Sequence, residues 1–227
     1  MFCFSTRRII NDFRNFGAGG NGKTLADAAD IINGLMHKWE KIVFVDDVVG
    51  VKKHYTLDVY TYQEVKEQFS KDEIEIVISL GEPANRKKIH DMLKRDGFKL
   101  GQVISPRAIM PLDCKLGEGI ILLDCIIGSD VVIGDNTFVS ENAIIGHDTI
   151  VGEDSIVGPK VFIAGHCRIG NEVYVGPCAI LRDRLTIEDH GVVSIGAVVF
   201  KTVFHNSVAI GNPARNMPKD DNHKLFK

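Results

Sequence analysis

The dipeptide with the most chemical potential in this chain is His147-Asp148, which directly follows Gly146. An imidazole titrates near neutrality and can take a proton from an attacking amine or alcohol. A neighbouring carboxylate can hold the imidazole tautomer and stabilise the imidazolium. Adjacent residues do not automatically face each other, so the part played by Asp148 depends on local geometry. His166 follows Ala164 and Gly165, and is either a wall of the same site or an ordinary exposed corner residue. A zinc site wants three imidazoles converging within about 2.1 Å of one point. The spacings of His147, His166 and His190 offer no close pair, so no metal is expected.

A second constellation lies near the N-terminus, Gly17-Ala18-Gly19-Gly20-Asn21-Gly22-Lys23-Thr24. It satisfies two patterns at once. Gly17, Gly19 and Gly22 form G-x-G-x-x-G, and Asp46 follows at the distance of a ribose-binding acid. The same residues also spell a Walker A motif ending in Lys23 and Thr24. Both patterns need glycine because backbone N–H groups at a helix N-terminus must approach phosphate closely. A full dinucleotide fold or a P-loop ATPase needs a larger sheet than about 100 residues supply. The loop therefore reads as a nucleotide or sugar-nucleotide pocket, or else as a structural turn. Asp46 and Asp47 after one strand, and Asn85 and Arg86 after the next, are placed to meet such a ligand. Arg86 as a plain helix-surface charge is the alternative.

The elements that must position these groups differ sharply between the two halves. From Ile121 to Val199 an aliphatic residue recurs at every sixth position, and half of these are followed by glycine. Four residues after each comes a mostly small or β-branched residue, as at Val131, Thr137 and Ala143. This period fits neither a helix nor hairpins and predicts a parallel β-helix of hexapeptides. Three hexapeptides close a triangular coil of roughly eighteen residues, so every third aliphatic stacks on its predecessor. Glycine suits the corners through its dihedral freedom and its close backbone approach. His147 then stands on a corner, pointing away from the interior.

The first hundred residues alternate strands and helices, so a small parallel sheet with flanking helices is expected. Strands are predicted at residues 42–45 and 74–80, with a last one near 98–104. Leu25, Ala28, Ile31, Ile32 and Leu35 share one helix face, and Ile89, Met92 and Leu93 another. The segment before the glycine loop makes a poor buried strand. It is either a sheet edge or part of an unusual extension. The chain thus divides into a small α/β domain, residues 1–104, and a β-helix domain, residues 105–227.

Composition narrows the partners. The 227 residues carry a net charge of -3 and no polybasic tract, which disfavours nucleic acid. Residues 1–13 hold Arg7 and Arg8 but no continuous apolar stretch, so neither a signal peptide nor a membrane span is expected, and a cytoplasmic location follows. The five cysteines lack C-x-x-C spacing, and Cys125 and Cys167 fall on small inward positions as reduced packing residues.

In chain order, the glycine loop, Asp46-Asp47, the helix opened by residues 81–86, Gly146-His147-Asp148 and Gly211-Asn212-Pro213-Ala214-Arg215 form a recognisable series. It resembles the sialic acid O-acetyltransferase and sugar-nucleotide N-acetyltransferase family of left-handed β-helix enzymes. The resemblance runs from Gly17 onward, and its specific part is the G-H-D element with the terminal G-N-P-A-R. It implies a mixed fold, with a small Rossmann-like α/β domain followed by a left-handed parallel β-helix, assembled as a homotrimer. It also implies acetyl transfer from acetyl-CoA to the amino group of a UDP- or dTDP-linked amino sugar. The alternatives are O-acetylation of sialic acid or a related sugar, and a non-catalytic scaffold. His147 and Asp148 become the catalytic pair, with Gly17, Gly19, Gly20, Asn21, Gly22, Asp46, Asp47, Asn85 and Arg86 at the sugar nucleotide. For acetyl-CoA the expected residues are Gly165, whose N–H would meet the acetyl carbonyl, His166, Gly176, Ser194, Gly196 and Ala197. Lys201 and Arg215 would meet its phosphates. Family members often carry a second histidine about nine residues after the first. Here that position is Ile156.

Overall fold

The computed structural model describes residues 12–48 and 50–219. Most of the expected N-terminal extension, with Cys3, Arg7 and Arg8, lies outside the described residues.

The first half forms β1 (Asp12–Phe16), α1 (Gly20–Met36), β2 (Lys41–Val45), β3 (Lys53–His54), β4 (Leu57–Tyr60), α2 (Tyr62–Gln68), β5 (Ile74–Ile78) and α3 (Pro83–Arg95). The sheet order is β3-β4-β2-β1-β5. β1 pairs in parallel with both β2 and β5, so its backbone is central, not an edge. It serves as a strand because its neighbours, Val43–Val45 and Ile76–Ile78, are fully buried β-branched and aromatic residues that fix the sheet around it. The strand order reverses between β1 and β5, the point where an open α/β sheet gathers ligands.

α1 buries Leu25, Ala26, Ala29 and Ile32, while Ile31 and Leu35 stay 52% and 67% exposed. The buried stripe is narrower than the sequence face suggested, because α1 is wedged between the sheet and the second half. In α3 the buried stripe is Arg86, His90 and Leu93, at i, i+4 and i+7.

The second half is the parallel β-helix, left-handed as in its structural neighbours. It begins at β6 (Val103–Ile104), which pairs with Ile121–Leu122, so the coil starts ahead of residue 105. The inward aliphatics from Ile127 to Val199 are all at most 3% exposed, as are the small inward residues from Val131 to Ala179. Polar members of the small row are satisfied internally. Thr137 Oγ1 donates to the Gly152 carbonyl at 2.7 Å and Ser155 Oγ to the Gly170 carbonyl at 2.9 Å. Burial pushes the Cys125 thiol up to about 12 and raises that of Cys167, as expected for packing residues.

Two features depart from the sequence reading. Leu122, not Ile121, stacks beneath Val139, so one coil is a residue short. Ile121 instead turns outward beneath α1. The corner dihedrals also fall elsewhere. Positive φ recurs every six residues on Asp124, Asp130, Asn136, Asn142, Asp148 and Asp154, then Lys160 through His190, and only then on Gly196. Short Asx side chains tolerate that conformation. The repeat glycines are required by close approach alone. A Cβ on Gly146 would lie 2.6 Å from Gly165 N.

The prism has three outer faces. The docked face, with Ile121, Phe138 and Ile156, is covered by α1. The open face carries Ile126, Phe162 and Ile180 at 42–45% exposure, with Ile144 and Val198 in the same sheet. The third face is mixed, from Lys115 and Val132 to Arg168 and Thr186. The corner between the third and docked faces holds Asn136 and Asp154, which α3 contacts. The corner between the open and third faces holds His147.

Candidate active site

Because the coil repeats about every eighteen residues, one corner stacks four short columns. His147 lies over Gly165, then Asp183, then Lys201, while Asp148, His166 and Arg184 form the adjacent column. His147 Nδ1 lies 2.6 Å from Asp148 Oδ2, so the neighbours do face each other. They do so because Asp148 is in the left-handed conformation, φ 58°, which swings its side chain back beside the imidazole. The hydrogen bond from His147, ahead of the charges of His166 and Arg184, holds the Asp148 carboxyl below the usual carboxylate range.

With Nδ1 turned to the carboxylate, Nε2 is the nitrogen left to act. It overhangs Gly165, where an added Cβ would lie 2.8 Å from it. Glycine there makes room for the ring. The Gly165 amide donates to no acceptor among the described residues. His166 sits edge-on to His147 with ring centroids 4.9 Å apart, and its Nδ1 is 3.7 Å from Asp148 Oδ2. His166 is thus a wall of this site. The expectation of no close histidine pair was wrong, because nineteen residues is one coil plus one. The ligand atoms of His147, Asp148 and His166 all lie within 4.8 Å of one another. His190 stands on the corner beside Glu172, away from both. Ile156 is packed against α1 on the docked face and has no access to this corner.

Further along the same corner the chain gathers cations. Arg182, Arg184 and Lys201 border a groove of about 440 Å³ with Phe200 and Asn216. Lys201 and Arg215 share the adjoining groove of about 350 Å³. Arg182 and Arg184 were missed in the sequence. They lie eighteen residues after Ala164 and His166, so the repeat itself marks their columns. Gly176, Ser194 and Gly196 belong to the corner between the docked and open faces, so one chain does not bring them to His147. Ala197 is fully buried in the inward stack and is unavailable to any ligand, contrary to expectation. It occupies the small inward position four residues after Val193.

The second site is a groove of about 400 Å³ at the ends of β1 and β5. Gly17, Gly19, Gly20, Asn21 and Gly22 form one side, and residues 79–82 with Asn85 the other. Only residues 17–19 separate β1 from α1, too few for the longer phosphate-wrapping loop of the Walker pattern. The G-x-G-x-x-G geometry is realised instead. Gly17 has φ 113°, and a Cβ on Gly22 would lie 2.0 Å from the Gly17 carbonyl. Asp46 does not line the groove. Its Oδ2 accepts from the Ala18 amide at 2.8 Å, pinning the loop from behind. Asp47 accepts from the Tyr62 amide at the start of α2. Arg86 is fully buried against the β-helix and cannot contact a ligand in the groove.

Comparison with known proteins agrees with both halves. Residues 16–93 match the PglD N-terminal domain family, and residues 148–183 match the bacterial transferase hexapeptide repeat. Each half of the chain is therefore similar to a known family, although neither match alone spans half of the residues. The acetyltransferase domain of PglB from Neisseria gonorrhoeae is 24% identical with a TM-score of 0.85, covering 91% of this chain and 100% of that one. A mutant perosamine N-acetyltransferase from Caulobacter crescentus, solved with CoA and GDP-perosamine, is 23% identical with a TM-score of 0.82, covering 92% and 98%. Serine acetyltransferase 3 of Arabidopsis thaliana is 31% identical over 113 residues, 48% of this chain. The match spans only 26% of that relative's length. No helix among the described residues is long and apolar enough to cross a membrane.

Proposed function

We propose that this protein transfers acetyl from acetyl-CoA to the amino group of a nucleotide-linked amino sugar, with His147 as general base. The observation that carries the reading is the His147–Asp148 pair over Gly165, on a corner whose later coils end in Arg182, Arg184, Lys201 and Arg215. His147 Nε2 takes the proton as the amine attacks the thioester carbonyl, while Asp148 steadies Nδ1–H. The Gly165 amide is free to meet the developing oxyanion. Attack forms the C–N bond; collapse of the tetrahedral intermediate then breaks the C–S bond, and the imidazolium of His147 returns its proton to the departing CoA thiolate. The cationic corner meets the CoA phosphates, and the glycine groove holds the sugar nucleotide at the N-terminus of α1. The related proteins solved with acetyl coenzyme A, and with CoA and GDP-perosamine, support this assignment. Acetyl-CoA as co-substrate is consistent with a cytoplasmic enzyme.

A thiol-release assay with acetyl-CoA against UDP-, dTDP- and GDP-linked amino sugars tests the reading directly. Turnover only with free sialic acid or another hydroxyl acceptor would replace it with O-acetylation. In the same assay, Gly19→Val should raise KM for the sugar nucleotide by at least about tenfold while leaving KM for acetyl-CoA within twofold. Gly19 borders the groove, and a Cβ there meets nothing within 4 Å, so the fold has room for the change. Equal loss of affinity for both substrates would move the sugar-nucleotide site elsewhere.

The reading also calls for a cyclic trimer. The open face leaves a continuous apolar stripe unburied, and the glycine groove and His147 lie on opposite sides of one prism. Light scattering should return three times the 25.1 kDa chain mass. A monomer at micromolar concentration would sink the assembly.

A further inference from the structure

We propose that Arg86 is a positioning residue that anchors the far wall of the glycine groove to the β-helix, so that affinity for the acceptor is set across the domain boundary. The proposal rests on the sugar-nucleotide reading of that groove. Arg86 is completely buried, an unusual place for a guanidinium without a function for each donor. Its Nη1 donates to the carbonyls of Ile78 and Leu80. Those carbonyls bracket Ser79, whose hydroxyl reaches the carbonyls of Phe16 and Gly17 at 3.0 Å each. Leu80 and its successors to Glu82 line the groove opposite the glycines. One end of the fork therefore holds the wall.

The other end holds the β-helix. Nε donates to the Asn136 carbonyl at 3.1 Å, and Nη2 to Asn136 Oδ1 at 2.7 Å. Asn136 Nδ2 passes the contact to Asp154 Oδ1 at 2.7 Å, and His90 Nδ1 meets the same oxygen at 2.9 Å. Arg86, His90, Asn136 and Asp154 are each at most 5% exposed. Burial pulls the guanidinium down to about 9, while the charge of Asp154 opposes the shift. Lysine, a point charge without the planar fork, cannot bridge the two sets of carbonyls at once. The wall would be released while the coils that present His147, on the opposite corner, stay intact.

Arg86→Lys is the test, read in two ways. Hydrogen exchange needs no ligand, and amides of residues 79–85 should exchange at least about tenfold faster while those around residues 146–166 are unchanged. Steady-state kinetics should show KM for the sugar nucleotide raised about tenfold or more, with kcat and KM for acetyl-CoA within twofold. Millimolar guanidinium should restore part of the lost affinity in Arg86→Ala, a rescue that general destabilisation would not give. Should either Arg86 variant fail to fold, Asn136→Gly keeps the left-handed backbone and its carbonyl and deletes only the side-chain link. It should move the same quantities less far. Unchanged exchange over residues 79–85, or a parallel loss in both KM values and kcat, overturns the proposal. Wild-type inactivity on every nucleotide sugar overturns the functional reading alone, because the exchange result stands without it.

Discussion

Replacing His147 with alanine should lower kcat by at least about a hundredfold, within the 10²–10⁴ range usual for loss of a general base, or roughly 3–5 kcal/mol of transition-state stabilisation. The fold should survive. The imidazole is 61% exposed on a corner, and its partners are Asp148 and the edge of His166, not the inward stack. KM for acetyl-CoA should change little, since the cations proposed to meet its phosphates lie further along the corner. The hydrogen bond from His147 holds the Asp148 carboxyl below the usual carboxylate range, which keeps an anion beside the ring. Asp148→Asn should lower kcat by less than His147→Ala does, since the amide can still occupy the position but no longer stabilises an imidazolium. A His147→Ala enzyme that kept most of its turnover on the true acceptor would transfer the role of base to His166.

The legible part of this structure is the part that repeats. A period of six places His147 on a corner without any coordinates, and the same period, carried eighteen residues on, would have found Arg182 and Arg184. The period does not give the backbone dihedral at each corner residue. Glycine was the natural candidate for the left-handed positions, yet Asp and Asn hold most of them in the early coils. That substitution is what turns Asp148 toward His147. The residue missing after Leu122 was also invisible, because Ile121 and Leu122 are both aliphatic and either could point inward. In the α/β half, the glycine loop was readable because its spacing reflects a local backbone requirement. Arg86 and His90 were not. Their partners, Asn136 and Asp154, are 50 and 64 residues away, and helical spacing alone does not distinguish a solvated charge from a buried clamp. Asp46 was misread for a related reason, since an acid after β2 can bind ribose or tie down the glycine loop, and here it accepts the Ala18 amide.

The separation of the two sites within one chain yields the second large effect. The glycine groove rides on the docked face, and His147 occupies the corner where the other two faces meet. In the proposed trimer, an acceptor held in the groove of one subunit would react at the His147 corner of a neighbour. Gly19→Val and His147→Ala chains should each be nearly inactive alone at limiting sugar nucleotide. Co-expressed in equal amounts, they should regain about a quarter of wild-type activity. In a randomly mixed ring, one junction in four pairs an intact groove with an intact histidine. Purification through different tags on the two chains would select mixed trimers and raise the yield above that of the random pool. A groove serving the histidine of its own chain predicts the opposite, because every chain in the mixture carries one lesion. Mixed trimers no more active than their parents would therefore place both substrates on a single subunit and remove the geometric reason for assembly.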